Sequence, residues 1–245
     1  MIRVPLTLFL LMAMMASLSI AQVSNDTGSA ASSLTVGTGS LQLEGRTDGE
    51  RVQLLMDVAT VYVNEGEYKA AVDVYERILK IAPDHKDAKF MLGHVYISAG
   101  MYAKAETNLK ALIKEYPDEF QLKNNLAWLY STAADPAYRD GEKAVKLAQE
   151  AMVLAPTDYH VWSTLSEAYY VSGQYEKAFR AIVHMASLAS RFGTNITREM
   201  VDEYNEQIRK CRRALDSQRI LNGEENNPAD PAESGGEQQP GLPDQ

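Results

Sequence analysis

Residues 62–83 read YVNEGEYKAAVDVYERILKIAP, and residues 96–117 read YISAGMYAKAETNLKALIKEYP. Tyr62, Gly66, Tyr68, Ala71, Tyr75 and Pro83 of the first stretch return 34 residues later as Tyr96, Gly100, Tyr102, Ala105, Leu109 and Pro117. Upstream of each glycine the apolar steps are three and four, as in Val52, Leu55, Ala59 and Tyr62, the stripe of an amphipathic helix. Tyr68, Ala71, Tyr75 and Ile78 form a second stripe of the same period. Gly66 between them stands where a left-handed turn costs a glycine little. Pro83-Asp84 stops one helix and offers a carboxylate to cap the next. Thr47 and Glu50 have the spacing of a capping box. Ala59, Ala71, Gly93 and Ala105 are small enough for two helices to approach closely, and the tyrosines fill the space between hairpins.

Two further copies follow. Leu126, Ala127 and Tyr130, then Ala144, Ala148 and Ala151, and Pro156 make a third, whose proline comes 39 residues after Pro117. The extra residues fall between Ser131 and Gly141, around Asp135-Pro136, and predict a longer turn. Trp162, Leu165, Tyr169, Gly173, Tyr175, Ala178 and Ile182 make a fourth, in which Ser190 replaces the closing proline and the helix runs on towards Gly193. The period and residue order resemble the tetratricopeptide repeat, a helix–turn–helix unit that stacks because one hairpin cannot bury its apolar face alone. The expected fold is all-α: a right-handed solenoid of about four hairpins over residues 47–192, in units near 52–85, 86–119, 120–158 and 159–192, with a capping helix in 193–221. In that last segment Val201, Tyr204, Ile208, Cys211 and Leu215 step by three and four. Acids gather at its start and bases at its end, matching the helix dipole, so it reads as a solvated cap rather than a nucleic-acid patch.

Residues 1–21 read as a secretory signal: Arg3, an almost wholly apolar run from Leu6 to Ile20, and small residues at Ser19-Ile20-Ala21. An uncleaved anchor over residues 4–23 is the alternative, its apolar run being barely long enough to span. Residues 22–46, rich in Ser, Thr and Gly, read as a flexible linker. Residues 222–245 carry six acids and no Lys or Arg and read as a disordered acidic tail, which holds most of the formal charge of −9. The expected location is therefore periplasmic or extracellular.

Catalytic chemistry has little to stand on. Cys211 is the only cysteine, so no internal disulfide forms. His85, His94, His160 and His184 lack the pairing of a zinc site. The chain has no phosphate loop, nucleophile elbow or metalloprotease signature. No cofactor and no metal are expected, and the chain reads as non-catalytic. The resemblance implies a concave groove lined by the first helix of each repeat. Carried over copy by copy, its positions fall on Met56 and Thr60, Phe90 and His94, Asn124 and Trp128, and His160, Glu167 and Tyr170. The carboxylate clamp of Lys, Arg and Asn known in this family is missing, since these positions offer no Lys or Arg. What remains is an apolar and aromatic strip of Met56, Phe90, Trp128 and Tyr170, suited to an apolar segment of a protein partner. The expected function is a scaffold or assembly factor. A self-associating envelope protein and an accessory subunit of an envelope enzyme are the rivals.

Overall fold

The computed structural model describes residues 45–192 and 197–223. The signal segment, most of the linker and nearly all of the acidic tail lie outside the described residues. Nine α-helices and one 3-10 turn, with no strand, make up the described residues. Four antiparallel hairpins follow in order: α1 (Asp48–Asn64) with α2 (Tyr68–Ile81), α3 (Lys86–Ser98) with α4 (Tyr102–Glu115), α5 (Phe120–Thr132) with α6 (Gly141–Leu154), and α7 (Tyr159–Val171) with α8 (Tyr175–Phe192). A 24-residue helix, α9 (Arg198–Leu221), then packs on α8. Each helix meets the next in the chain, and α5 also meets α3 and α7. The architecture is an all-α helical-repeat solenoid.

Local chemistry fixes where the helices begin. Thr47 Oγ1 accepts from the Glu50 amide at 3.3 Å, and the Glu50 carboxylate accepts from the Thr47 amide at 2.8 Å, the reciprocal pair expected from the sequence. That backbone bond holds the Glu50 carboxyl below its usual pKa. Gly66, Gly100 and Gly173 turn three of the hairpins at φ 75°, 72° and 76°, where a side chain would be strained. The third hairpin has no such glycine. Its longer turn holds the 3-10 segment Pro136–Tyr138, pinned by Arg139 Nε donating to the Ala133 carbonyl at 2.6 Å and the Ala134 amide donating to the Tyr102 hydroxyl at 3.0 Å.

Close approach between helices needs small residues. A Cβ on Gly93 would lie 2.7 Å from Asn108 Oδ1 and 2.9 Å from a Leu109 methyl, so α3 and α4 meet there without room for a side chain. Ala71, Ala105, Ala144 and Ala178, at matching places on the second helices, are fully buried. Tyrosines tie one hairpin to the next. Tyr96 donates to Glu76 at 2.8 Å and Tyr130 to Glu106 at 2.7 Å. Those bonds, with Lys104 and Lys110 as the leading causes, hold both carboxyls below their usual pKa. Two apolar cores result, one through the first three hairpins and into α7, the other joining α7, α8 and α9 around Ile182, Met185, Met200, Tyr204 and Cys211.

Candidate functional site: the first-helix face and its cap

All nine expected groove residues lie on first helices: Met56 and Thr60 on α1, Phe90 and His94 on α3, Asn124 and Trp128 on α5, His160, Glu167 and Tyr170 on α7. Their exposure differs along the array. Met56, Thr60 and Tyr170 are half-buried, whereas the other six are buried, from 5% exposed at His94 to 8% at Phe90, Trp128 and Glu167. The strip of Met56, Phe90, Trp128 and Tyr170 therefore offers side-chain area chiefly at its two ends. Phe90 illustrates the cause. The Tyr116 ring meets it edge-on at 5.4 Å, and Lys86, paired with Glu119 at 2.6 Å, lies 5.1 Å from the Phe90 centroid. Apolar area on these helices is covered by neighbouring side chains wherever they reach it.

The fourth-repeat positions meet α9. Gln207 accepts from the Ser163 hydroxyl at 3.2 Å and donates to Glu167 at 2.9 Å. Lys210 donates to both Glu167 oxygens, at 3.0 and 2.7 Å, and its ammonium stands 4.0 Å from the Tyr170 centroid. Ser166, on the same helix, donates to the Ala178 carbonyl at 2.9 Å and touches Cys211 Sγ at 3.6 Å. Burial pushes the Cys211 thiol pKa up, which makes it a packing group. His160 is held by its own turn, stacked 4.0 Å from Tyr159 and with Nδ1 3.1 Å from Asp158. Contacts from Gln207 and Lys210 to this face had no sequence signal, because the two residues flank the apolar stripe 40 and more positions beyond their partners. Lys210 brings a cation to a face whose own positions have none, and Glu167 already neutralises it.

Polar atoms at several of the expected groove positions lack partners. His94 Nδ1 and Ser98 Oγ on α3, Gln121 Oε1 and Asn124 Oδ1 on α5, and His160 Nε2 on α7 are buried with no hydrogen-bond partner among the described residues. Burial drives the His94 pKa down to about 4, so the ring is neutral at ordinary pH. Buried polar groups in native proteins nearly always find partners; Arg51 Nε on α1 and Asn108 Oδ1 on α4, away from these positions, are likewise buried without one. No three His, Cys, Asp or Glu side chains among the described residues are placed to hold a metal ion.

Comparison with known proteins agrees with the hairpin geometry. Residues 62–129 match the family model described as tetratricopeptide repeat. The protein called DnaJ homolog subfamily C member 3 of Gallus gallus is 28% identical over 143 residues, which are 54% of this chain and 28% of that protein. The tetratricopeptide repeat and J domain-containing co-chaperone DNJ1 of Cryptococcus neoformans is 31% identical over 87 residues, 33% of this chain and 17% of that protein. The chain thus spans less than a third of the length of either relative. Among solved structures, a thermophilic TPR protein of Thermus thermophilus shares 20% identity over 72% of this chain and 96% of its own, with a TM-score of 0.46. MamA of Desulfovibrio magneticus RS-1 shares 14% over 74% and 100%, with a TM-score of 0.47. The match to the tetratricopeptide repeat model takes in α2, the whole α3–α4 hairpin and most of α5, and the hairpins on either side repeat the same helix–turn–helix order.

Proposed function

We propose that this chain is a non-catalytic protein-interaction scaffold whose first-helix face takes an uncharged segment of a partner protein. The observation that carries the reading is the set of internally unpartnered polar atoms at His94, Ser98, Gln121, Asn124 and His160. Small rotamer changes turn such groups towards a partner's main chain, which has equal need of donors and acceptors. Half-buried Met56 and Tyr170 at either end supply apolar anchorage for the same segment. Lys210, the cation over Tyr170, is held by Glu167, which argues against capture of a terminal carboxylate. Preformed helices lower the ordering cost of binding.

The scaffold acts outside the cytoplasm in this proposal, on the strength of the apolar run and small-residue site in residues 1–21. No described helix is long and apolar enough to cross a membrane. Chain recovered from its host should begin at Gln22, and an intact Met1 terminus in a cytosolic fraction overturns the location. For the groove, capture from host extract should compare the native chain with Thr60→Arg and Ser98→Arg, both on the groove face. Val153→Arg, on the exposed side of α6, is the control. The reading expects partners retained by the native chain and the control, lost with either groove variant, and insensitive to moderate salt. Equal capture by all four, or loss on adding salt alone, overturns it.

A further inference from the structure

The first helices α3, α5 and α7 each pack on the second helix before them, α2, α4 and α6. At one repeating register α3 carries Ala88, Leu92 and Val95, α5 Leu122, Leu126 and Leu129, and α7 Val161, Leu165 and Ala168. All nine are at most 3% exposed. In the same register α1 carries Leu54, Val58 and Val61, as apolar as its counterparts. No described hairpin precedes α1. Leu54 and Val58 are half-buried and Val61 is 51% exposed. A terminal repeat ordinarily shows a polar outer face, since nothing stacks on it. Over residues 202–217 the other end follows that rule: the outer side of α9 shows Asp202, Glu206, Arg209, Arg213 and Ser217, and exposed apolar side chains come only at its last turn, at Ile220 and Leu221.

We propose that residues 34–43 of this chain, LTVGTGSLQL, fold back along α1 and cover the face of Leu54, Val58 and Val61. Leu34, Val36, Leu41 and Leu43 supply its apolar side chains in a stretch otherwise made of Ser, Thr, Gly and Gln. In extended chain Leu41 and Leu43 point the same way. The junction favours reversal, because Gly45, just before the capping box, has a φ of 81°. Reach is sufficient. Val61 lies about 20 Å along α1 from Asp48, and about six extended residues cover that distance. So short a tether presents the segment at an effective concentration on the order of millimolar or higher. A second copy of the chain fits less well, because three aliphatic side chains fall far short of the about 800 Å² per partner that a stable dimer buries. The cover is independent of the groove reading, which concerns another face of the first helices.

Hydrogen exchange on the full chain tests it. With Leu41→Asp and Leu43→Asp together, the amides of α1 should exchange at least about tenfold faster while those of α5 to α8 hold. A second variant, Leu41→Cys with Val61→Cys, should close an intramolecular disulfide under mild oxidation; Cys211 is buried and does not compete. Free-peptide exchange at residues 41–43 in the native chain, with α1 unmoved by the double aspartate variant, overturns the proposal. So does a concentration-dependent dimer that Val61→Asp abolishes, which would give the face to a second copy.

Discussion

The two ends of the array solve one problem differently. At the C-terminal end, α9 lays Met200, Tyr204, Cys211 and Leu215 against the last hairpin and turns Glu206, Arg209 and Arg213 outward, where the two arginines pair with Glu206 at 2.9 Å. At the N-terminal end, α1 keeps the interior pattern Leu54, Val58 and Val61 on its outer side. Stacking removes a face from water only if something follows it. An end helix with an interior sequence therefore signals a missing cover, and one with a charged outer side signals a finished end.

The largest effect should come from breaking the finished end. Tyr204→Ala removes a ring that is 1% exposed and packs edge-on to Tyr159 at 6.4 Å. A loss of about 3 kcal/mol or more is expected in urea unfolding. A loss below about 1 kcal/mol would make α9 an appendage.

Acid sharpens the contrast from the other side, because His94 lies in the second hairpin, close to the end that lacks a described cover. Its folded pKa of about 4 lies below the unfolded value of 6.5. Above pH 6.5 both states are neutral and the group contributes nothing to the pH dependence. As pH falls from 6.5 to about 4 the unfolded chain takes up the proton and the folded chain resists, so stability declines by about 3 kcal/mol in total. Melting curves at about pH 7 and about pH 4.5 should show most of that decline in the native chain and much less in His94→Gln. An equal decline in both would place the acid sensitivity elsewhere.

The polar seam between α7 and α9 should matter less. Lys210→Met strands a carboxylate on Glu167, which is 8% exposed, and is expected to cost about 2 kcal/mol. Adding Glu167→Gln should return most of it, because the unpaired charge rather than the missing attraction makes the loss. A full double-mutant cycle checks this, and additive losses would contradict it.

The smallest effect belongs to the other end. Val61→Ser should cost less than about 0.5 kcal/mol if the α1 face is open, the usual result at an exposed site. A cost nearer about 1 kcal/mol is expected if residues 34–43 lie over it.

Much of this architecture was legible because helical hairpins are built from short-range rules. The 34-residue period, the glycines at 66, 100 and 173, the Thr47–Glu50 box and the long turn after Ser131 each act within a few residues of themselves. The run-on of α8 to Phe192 in place of a proline stop was legible for the same reason. Site positions were legible only as places on first helices. Which side chains there meet a partner and which are consumed by packing depends on the neighbouring side chains that close over them. Phe90 is covered by Tyr116 and Lys86, and Glu167 is met by Gln207 and Lys210 of α9, some 40 residues away. Periodicity fixes the face on which a residue lies because backbone geometry is local. Exposure, charge pairing and unpartnered polar atoms depend on contacts between elements, and these exist only once the hairpins have stacked.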